Sequence, residues 1–316
     1  AMEAKSLKLE SYEPMTDCIR IEAKSGGRAT SLARRGGVTA EVHLGGADLI
    51  EQLALEWRSL CDRSPSPEPF GRPEWVEAYL RAFEPDATLA LVTARQNGEM
   101  IALLPLILER TKLYGVPVRM LRSAANVHSP RFALTHGPEL SHAEAAYELW
   151  QAIRTGPHWQ VFQIQNVFAG GALESLFEAA EQDGFRTGQW QSLRSPYLPL
   201  TGWDGTGDWW FRNSSSHFRK TMRQSLRKLD GRLHLERVDV ADPRALECLF
   251  SLEASGWKGQ EKSAIASNES VRQFYTQLAN AAARFGFLSL YFLQLDGRTI
   301  AAHFGLSYRD RYYLLK

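Results

Sequence analysis

The densest positive charge in the chain lies between Ser214 and Leu229, in the sequence SSSHFRKTMRQSLRKL. Arg219, Arg223 and Arg227 recur every four residues, which places them on one face of a helix. Guanidinium groups bind phosphate and carboxylate in a bidentate way, so this row is a candidate anion site. A solvated basic face is the other interpretation, and charge alone does not separate the two. Under the first interpretation, Arg219 and Arg223 bind the substrate.

The same stretch has features that favour a packed helix. Phe218, Met222, Leu226 and Leu229 follow helical spacing and form an apolar stripe. The serines at Ser214–Ser216 can cap the first turn with a hydroxyl group. We therefore expect a helix whose apolar stripe packs on the fold.

A second group of chemically useful residues lies in the sequence SGWKGQEKSAIAS. Gly256 and Gly259 bracket Trp257 and Lys258 directly after a helical pattern, which predicts a loop that displays both side chains. An aromatic ring and an ammonium group suit substrate binding at a cleft. A helix end with Trp257 packed inward is equally compatible. Glu253, one turn earlier, is a candidate general base or an ordinary ion-pair partner.

His303 lies in the strand sequence AAHFGL and is a candidate proton acceptor. A histidine between apolar strand residues is more often a core residue, so this interpretation stays open. Tyr308, Tyr312 and Tyr313 follow in the next strands and are candidate proton donors.

The elements that must position these residues occur twice along the chain. Helical patterns at Gly45–Ser64 and Arg72–Phe83 precede two strands joined by an Asn-Gly turn. The second half repeats two helices, a strand, an Asp-Gly turn and a strand, and its turn reads DGRTIA where the first reads NGEMIA. The match in order and spacing predicts an internal duplication within an α/β fold.

The predicted boundaries follow from composition. Residues 1–40 are polar and rich in Gly and Arg, which predicts a flexible arm. The Pro- and Gly-rich sequence SPYLPLTGWDGTGD separates a first domain at residues 41–200 from a second at residues 201–316. By comparison with the first copy, the second lacks the equivalent of about residues 120–200. We therefore expect the second copy to be incomplete at its C-terminal end.

Charge and cysteine content narrow the class of protein. The 316 residues carry 37 basic and 36 acidic side chains, so a general attraction to nucleic acid is not expected and any anion site is local. Three scattered cysteines support neither a disulfide framework nor a zinc site, and no metal is expected. No signal peptide or membrane-length apolar run is present, which favours a cytoplasmic protein without membrane insertion.

The order of elements resembles the GNAT superfamily of acyltransferases, and two such units in one chain resemble its FemAB-like branch. The GWKG…AI sequence followed by Phe274-Tyr275, and the basic helix, are most similar to the CelD-like family of cellulose biosynthesis proteins. The resemblance implies two tandem GNAT-like domains, each a mixed, twisted sheet flanked by helices, the first of them degenerate. It also implies acetyl-CoA as acyl donor. The Q/R-x-x-G-x-G/A loop that holds the pyrophosphate in GNAT enzymes is absent from this sequence.

The resemblance therefore implies acetyl transfer to an amine or hydroxyl of a sugar or nucleotide-linked precursor, connected with exopolysaccharide or cellulose synthesis. Direct transfer is expected because no nucleophile motif is present. Arg219, Arg223, Trp257 and Lys258 would bind the acceptor, and Glu253 or His303 would be the base. Two alternatives stay open: a FemAB-type aminoacyl transferase that uses charged tRNA, and a non-catalytic binding subunit of a polysaccharide synthesis system.

Overall fold

The computed structural model describes residues 12–22, 37–229, 231–256, 260–261 and 264–316. The α-helices are α1 (Ala47–Arg63), α2 (Pro73–Phe83), α3 (His142–Thr155), α4 (Ala172–Gln182), α5 (Gly207–Arg212), α6 (Ser216–Lys228), α7 (Pro243–Ala254) and α8 (Glu269–Arg284). The strands are β1 (Tyr12–Glu22), β2 (Val38–Gly45), β3 (Thr88–Gln96), β4 (Glu99–Leu113), β5 (Val116–Ser123), β6 (Thr135–His136), β7 (Val161–Phe168), β8 (Arg186–Pro196), β9 (Leu233–Val238), β10 (Leu288–Leu295), β11 (Arg298–Tyr308) and β12 (Arg311–Leu314). The chain therefore has a mixed α/β fold.

The larger sheet has the strand order β2-β3-β4-β5-β7-β1-β8, and β6 pairs with β4. It is mixed, because β5 and β7 run parallel through Met120–Arg122 and Val161–Gln163. Its other strand pairs are antiparallel. Residues 89–94 of β3 and 100–107 of β4 are buried, because helices cover both faces of the sheet there.

The smaller sheet has the order β12-β11-β10-β9, and its described pairs are antiparallel. Phe292, Phe304 and Leu306 lie on the buried face, where they pack in the same apolar cluster as α7 and α8. Leu235 and Leu314 are 62% and 55% exposed. The smaller sheet therefore has one covered face.

Apolar layers hold the two halves together. Helices α3 and α4 cover one face of the larger sheet, where Trp150 is fully buried. On the other face, one continuous cluster joins Trp57 and Trp75 of the first half to Phe274 and Tyr275 of the second. The rings of Trp75 and Phe274 meet edge to face with centroids 5.2 Å apart. The two halves thus share a core instead of being joined only by a linker.

The predicted repeat is visible in the backbone. The series β2-α1-α2-β3-β4-β5 and β9-α7-α8-β10-β11-β12 have the same element order and the same strand order. Both hairpins turn at Asn97-Gly98 and Asp296-Gly297, with φ between 51° and 84°, as a type I′ turn requires. Each hairpin also shifts register just before its turn, after Ala94 and after Leu293. An Asn-Gly or Asp-Gly turn and the same register shift therefore shape both hairpins.

The predicted arm over residues 1–40 is wrong in part. Residues 12–22 form β1, which lies between β7 and β8 and pairs antiparallel with both. Residues 38–40 already belong to β2. A strand of this kind depends on partners more than a hundred residues away, which local composition does not register. Residues 1–11 and 23–36 lie outside the described part of the chain.

Candidate active site

Glu253 lies at the C-terminal end of α7, in a largely buried ion pair. Its Oε2 accepts a hydrogen bond of 2.8 Å from the Ile265 backbone N–H, and its Oε1 lies 3.8 Å from Lys316 Nζ. The two side chains are 10% and 17% exposed. The carboxylate thereby links α7 to the segment before α8 and to the residues after β12. Low exposure strengthens the interaction between these charges.

Aromatic rings of α8 form a wall of this site. Lys316 Nζ lies 5.6 Å from the centroid of the Tyr275 ring. Burial, and then the negative charge of Glu253, raise the pKa of the Tyr275 phenol. Tyr275 therefore keeps its proton at neutral pH.

His128 reaches the same site from the first half of the chain. Its ring stacks on Phe83 with centroids 5.7 Å apart and planes within 4°, and meets Tyr275 edge-on at 5.8 Å. Burial, reinforced by the charge of Lys316 and opposed by Glu253, lowers the pKa of His128 to about 4. The imidazole is therefore neutral at pH 7. We call Glu253, Lys316, Tyr275 and His128 the junction cluster.

The loop that carries His128 is fixed by hydrogen bonds. Asn126 Oδ1 accepts from the His128 backbone N–H at 2.9 Å, and Asn126 O accepts from the Ser129 N–H at 2.9 Å. The pairing of β5 with β7 ends just before this loop, which lies beside the rest of β7. Asn166 of β7 donates through Nδ2 to Ser129 O at 2.6 Å, and its carbonyl accepts from the Phe132 N–H at 2.9 Å. These bonds hold the loop against β7 beyond its pairing with β5.

The junction cluster contains groups for proton transfer: a carboxylate, a phenol, an ammonium group and a neutral imidazole. Such groups of different acidity, held near one another with little water, suit acid-base chemistry. Glu253 was among the residues predicted from sequence. His128 was not among the residues predicted from sequence.

His303 is not brought to Glu253. It is exposed on β11, opposite Tyr291, whereas its neighbour Phe304 points to the buried face and contacts Tyr275. Successive strand residues point to opposite faces, so His303 and the junction cluster lie on different sides of the smaller sheet. The interpretation of His303 as a core residue is wrong, because its side chain is exposed on a face that no other described element covers.

The three candidate tyrosines lie in three different places. Tyr308 is buried, and its hydroxyl accepts a hydrogen bond of 3.1 Å from Arg72 Nη1. Tyr312 contacts Tyr291 with centroids 5.7 Å apart on the open face of the smaller sheet. Tyr313 packs edge-on against Phe70 of the first half at 5.1 Å. None of them belongs to the junction cluster.

Helix α6 forms as predicted, but its apolar stripe is not buried. Ser215 caps the helix, with Oγ accepting from the Phe218 N–H at 3.2 Å. None of its residues is buried, and Leu226 is 43% exposed. The expectation that the stripe packs into the fold is therefore wrong for the described contacts.

The two predicted anion-binding arginines stabilise the corner between α5 and α6. Arg219 Nη1 donates to the carbonyls of Phe211 and Ser214 at 3.2 and 2.9 Å. The guanidinium of Arg223 lies 5.4 Å from the centroid of the Phe211 ring. Arg223 is nevertheless exposed, so its outer edge is open to a ligand. Trp257 and Lys258, the other predicted substrate residues, lie outside the described residues.

Among the residues that the structure describes, no three or more His, Cys, Asp and Glu side chains are grouped to hold a metal ion. None of the described helices is long and apolar enough to cross a membrane.

One comparison with known proteins gives a match, and it covers the second half of the chain from α6 onwards. Residues 216–316 match the model of an acetyltransferase (GNAT) domain. No curated protein matches the chain. The matched segment runs from α6 to Lys316 and includes Glu253, Tyr275 and Lys316, whereas His128 lies outside it. GNAT domains generally use acetyl-CoA, so the match suggests that this part of the chain belongs to an acyltransferase.

Proposed function

We propose that the chain transfers an acetyl group from acetyl-CoA to an amine or hydroxyl of a sugar or nucleotide-linked precursor. The observation that carries this proposal is the coincidence of the GNAT match with the junction cluster, since three of the four cluster residues lie inside residues 216–316. A link to cellulose or exopolysaccharide synthesis, and membership of the CelD-like family, rest on sequence resemblance alone.

The domain organisation is part of the proposal. Two tandem GNAT-like units, at residues 41–200 and 201–316, account for the repeated element order and the paired type I′ turns. The first unit is proposed to be degenerate. Support comes from the loop that is bonded to β7 beyond its pairing with β5, where Ser123 Oγ also accepts from the Gln165 N–H at 3.1 Å. A thioester donor would have to displace these bonds.

The proposed chemistry is direct transfer. The nitrogen or oxygen of the acceptor attacks the thioester carbonyl with its lone pair. Glu253 takes the proton that this amine or hydroxyl loses. The carbon–sulfur bond breaks, and the departing thiolate takes the proton of the Tyr275 phenol. Lys316 stabilises the negative charge that develops, and His128 keeps the site partly closed to water. Arg223 is the described candidate for holding an anionic part of the acceptor.

The test is a thermal-shift titration with acetyl-CoA, followed by a free-thiol assay with amino sugars and nucleotide sugars. A donor that binds only the folded chain stabilises it by about 2.7 kcal/mol at a hundredfold excess over Kd. Glu253→Gln should keep the thermal shift and lose thiol release. Glu247→Gln, on the same helix but paired with Arg272, is the matched control. Absence of both shift and thiol release would overturn the proposal.

One observation keeps aminoacyl transfer from charged tRNA as a second candidate. Lys220, Arg227 and Lys228 are exposed on α6, which gives the helix a positive outer surface. Binding of RNA to that surface would weaken steeply with salt. A filter-binding titration of tRNA at increasing salt tests it, and salt-insensitive or absent binding would exclude it. A non-catalytic binding subunit is supported by the loop bonded to β7 in the first unit, and thiol release would exclude it.

A further inference from the structure

Helix α6 carries an apolar stripe that the described fold leaves partly uncovered. The stripe consists of Phe218, Met222, Leu226 and Leu229, which lie on one side of the helix, and none of them is buried. Leu226 is 43% exposed. Contiguous apolar residues rimmed by polar ones mark interaction sites, whereas single exposed leucines do not. The stripe is therefore a candidate binding surface.

The polar side of the same helix is strongly basic. Lys220, Arg227 and Lys228 are exposed, and residues 214–229 contain no Asp or Glu. Over residues 196–230, six basic side chains outnumber three aspartates. The local charge stays positive after every carboxylate of that stretch is counted, so charge complementarity selects an anionic partner.

A second apolar segment adjoins α6. Its exposed fractions lie between 40% and 53% for Tyr197, Leu198, Leu200 and Trp203. Trp203 Nε1 donates to Thr206 O at 3.2 Å, just before α5 begins. Helix α5 in turn meets α6, where the Phe211 ring lies 5.4 Å from the Arg223 guanidinium. The exposed segment and α6 thus belong to one corner of the fold.

An apolar stripe and a basic side on one helix suit the surface of a bilayer that contains anionic lipid. Leu, Phe and Trp side chains enter the boundary between headgroups and acyl chains, while Lys and Arg are attracted to anionic headgroups. The polar side of a helix lies about 10 Å from its apolar side, which is comparable with the Debye length of about 8 Å at physiological salt. The cations of α6 therefore still act on a surface that the stripe touches. RNA would use the cations and leave the leucines exposed, so the stripe favours lipid over nucleic acid.

We propose that α6 and residues 197–203 form a docking surface for membranes that contain anionic lipid. The helix lies along the bilayer surface with its apolar stripe turned to the lipid, and Lys220, Arg227 and Lys228 add electrostatic attraction. The association is peripheral. The inference goes beyond the proposed acyl transfer and is independent of it, since neither Glu253 nor Tyr275 takes part.

The test is flotation of the full chain with large vesicles of phosphatidylcholine, either alone or with about one quarter phosphatidylglycerol. We expect binding to the anionic vesicles to be at least about tenfold stronger, because several cations act on the surface together. Binding should weaken as the salt concentration rises, since salt screens exposed charges. Equal binding to the two kinds of vesicle, or binding to neither, would overturn the proposal.

An apolar variant tests the stripe apart from the charge. Leu226→Gln removes an exposed apolar side chain, leaves every cation in place, and should weaken binding to the anionic vesicles at least about threefold. Leu55→Gln is the matched control, because Leu55 is 80% exposed on α1, and it should bind like the unmodified chain. Unchanged binding in Leu226→Gln would refute contact between the stripe and lipid.

A charge variant tests the basic side, and tRNA separates lipid from nucleic acid. Lys220→Gln combined with Arg227→Gln should weaken vesicle binding at least about tenfold. Arg110→Gln combined with Lys112→Gln, exposed on β4, is the control and should leave it unchanged. The substituted side chains are exposed, so the thermal unfolding midpoint should stay the same. Binding of tRNA without selective binding of anionic vesicles would assign α6 to nucleic acid and overturn the proposal.

Discussion

Replacing Phe274 with alanine removes a ring from the layer that joins the two halves. Phe274 is fully buried, and its ring lies 5.2 Å from both Trp75 and Phe83 of the first half. Truncation of a buried phenylalanine costs about 3–5 kcal/mol, from lost transfer free energy and the cavity left behind. Each aromatic pair adds about 0.5–1.5 kcal/mol beyond burial. We therefore expect Phe274→Ala to lower the free energy of unfolding by an amount near the upper end of about 3–5 kcal/mol.

The assay is equilibrium unfolding in urea, followed by tryptophan fluorescence and by circular dichroism. A shared core predicts one cooperative transition, with both probes shifted together in Phe274→Ala. Leu55→Ala is the control, because Leu55 is 80% exposed on α1 and its loss should change stability by less than about 0.5 kcal/mol.

Two outcomes would refute the reasoning about the shared layer. The first is the observation of two separate unfolding transitions, only one of which moves in Phe274→Ala. The two halves would then be stable independently of each other. The other is a loss no larger than that of Leu55→Ala, since the ring would then contribute no buried contact.

Further predictions concern the junction cluster and the repeat. Glu253→Gln should lower kcat/KM for thiol release at least about a hundredfold, which is the usual contribution of a general base. Glu247→Gln should keep the kcat/KM of the unmodified chain. Equal kcat/KM values in the two variants would exclude Glu253 as the base. Because the pKa of His128 falls to about 4 on folding, the unfolded chain binds the proton more tightly, and stability is lost as pH falls below about 6.5. The free energy of unfolding should therefore drop between pH 7.5 and pH 5 by about 2 kcal/mol less in His128→Gln than in the unmodified chain. Identical drops in the two proteins would contradict the lowered pKa of His128. Gly297→Ala should destabilise the second hairpin by about 1 kcal/mol or more in thermal unfolding, because φ is 78° there, and an unchanged midpoint would argue against the turn.

Local rules account for the elements that were predicted correctly. The helices at Ala47–Arg63 and Pro73–Phe83 follow from apolar spacing and, in the second, from a proline in the first turn. The two hairpins follow from Asn-Gly and Asp-Gly, because those residues tolerate positive φ. The repeated order of elements could be read from sequence because both halves have two helical patterns and then two strands joined by an Asn-Gly or Asp-Gly turn. Glu253 could be proposed as a candidate from its residue type and position.

Other features depend on partners that are distant in sequence. Strand β1 exists through pairing with β7 and β8, and its composition had favoured an arm. Arg219 has the residue type of an anion ligand, but the fold directs its Nη1 to two backbone carbonyls. Strand alternation turns His303 away from Glu253. Residue type fixes what a side chain is able to do, and the fold decides which groups it meets.

The amino-acid sequence by itself determined the secondary structure of the repeat and the residue types available for acid-base chemistry, because both depend on neighbours within a few positions. Only the tertiary structure decided that His128 stacks on Phe83 and meets Tyr275, and that Glu253 pairs with Lys316. These contacts join residues separated by 45 to 147 positions, and the shared apolar layer between the halves brings them together. Burial in that layer also lowers the pKa of His128 and raises the pKa of Tyr275, and the isolated residues would show neither shift.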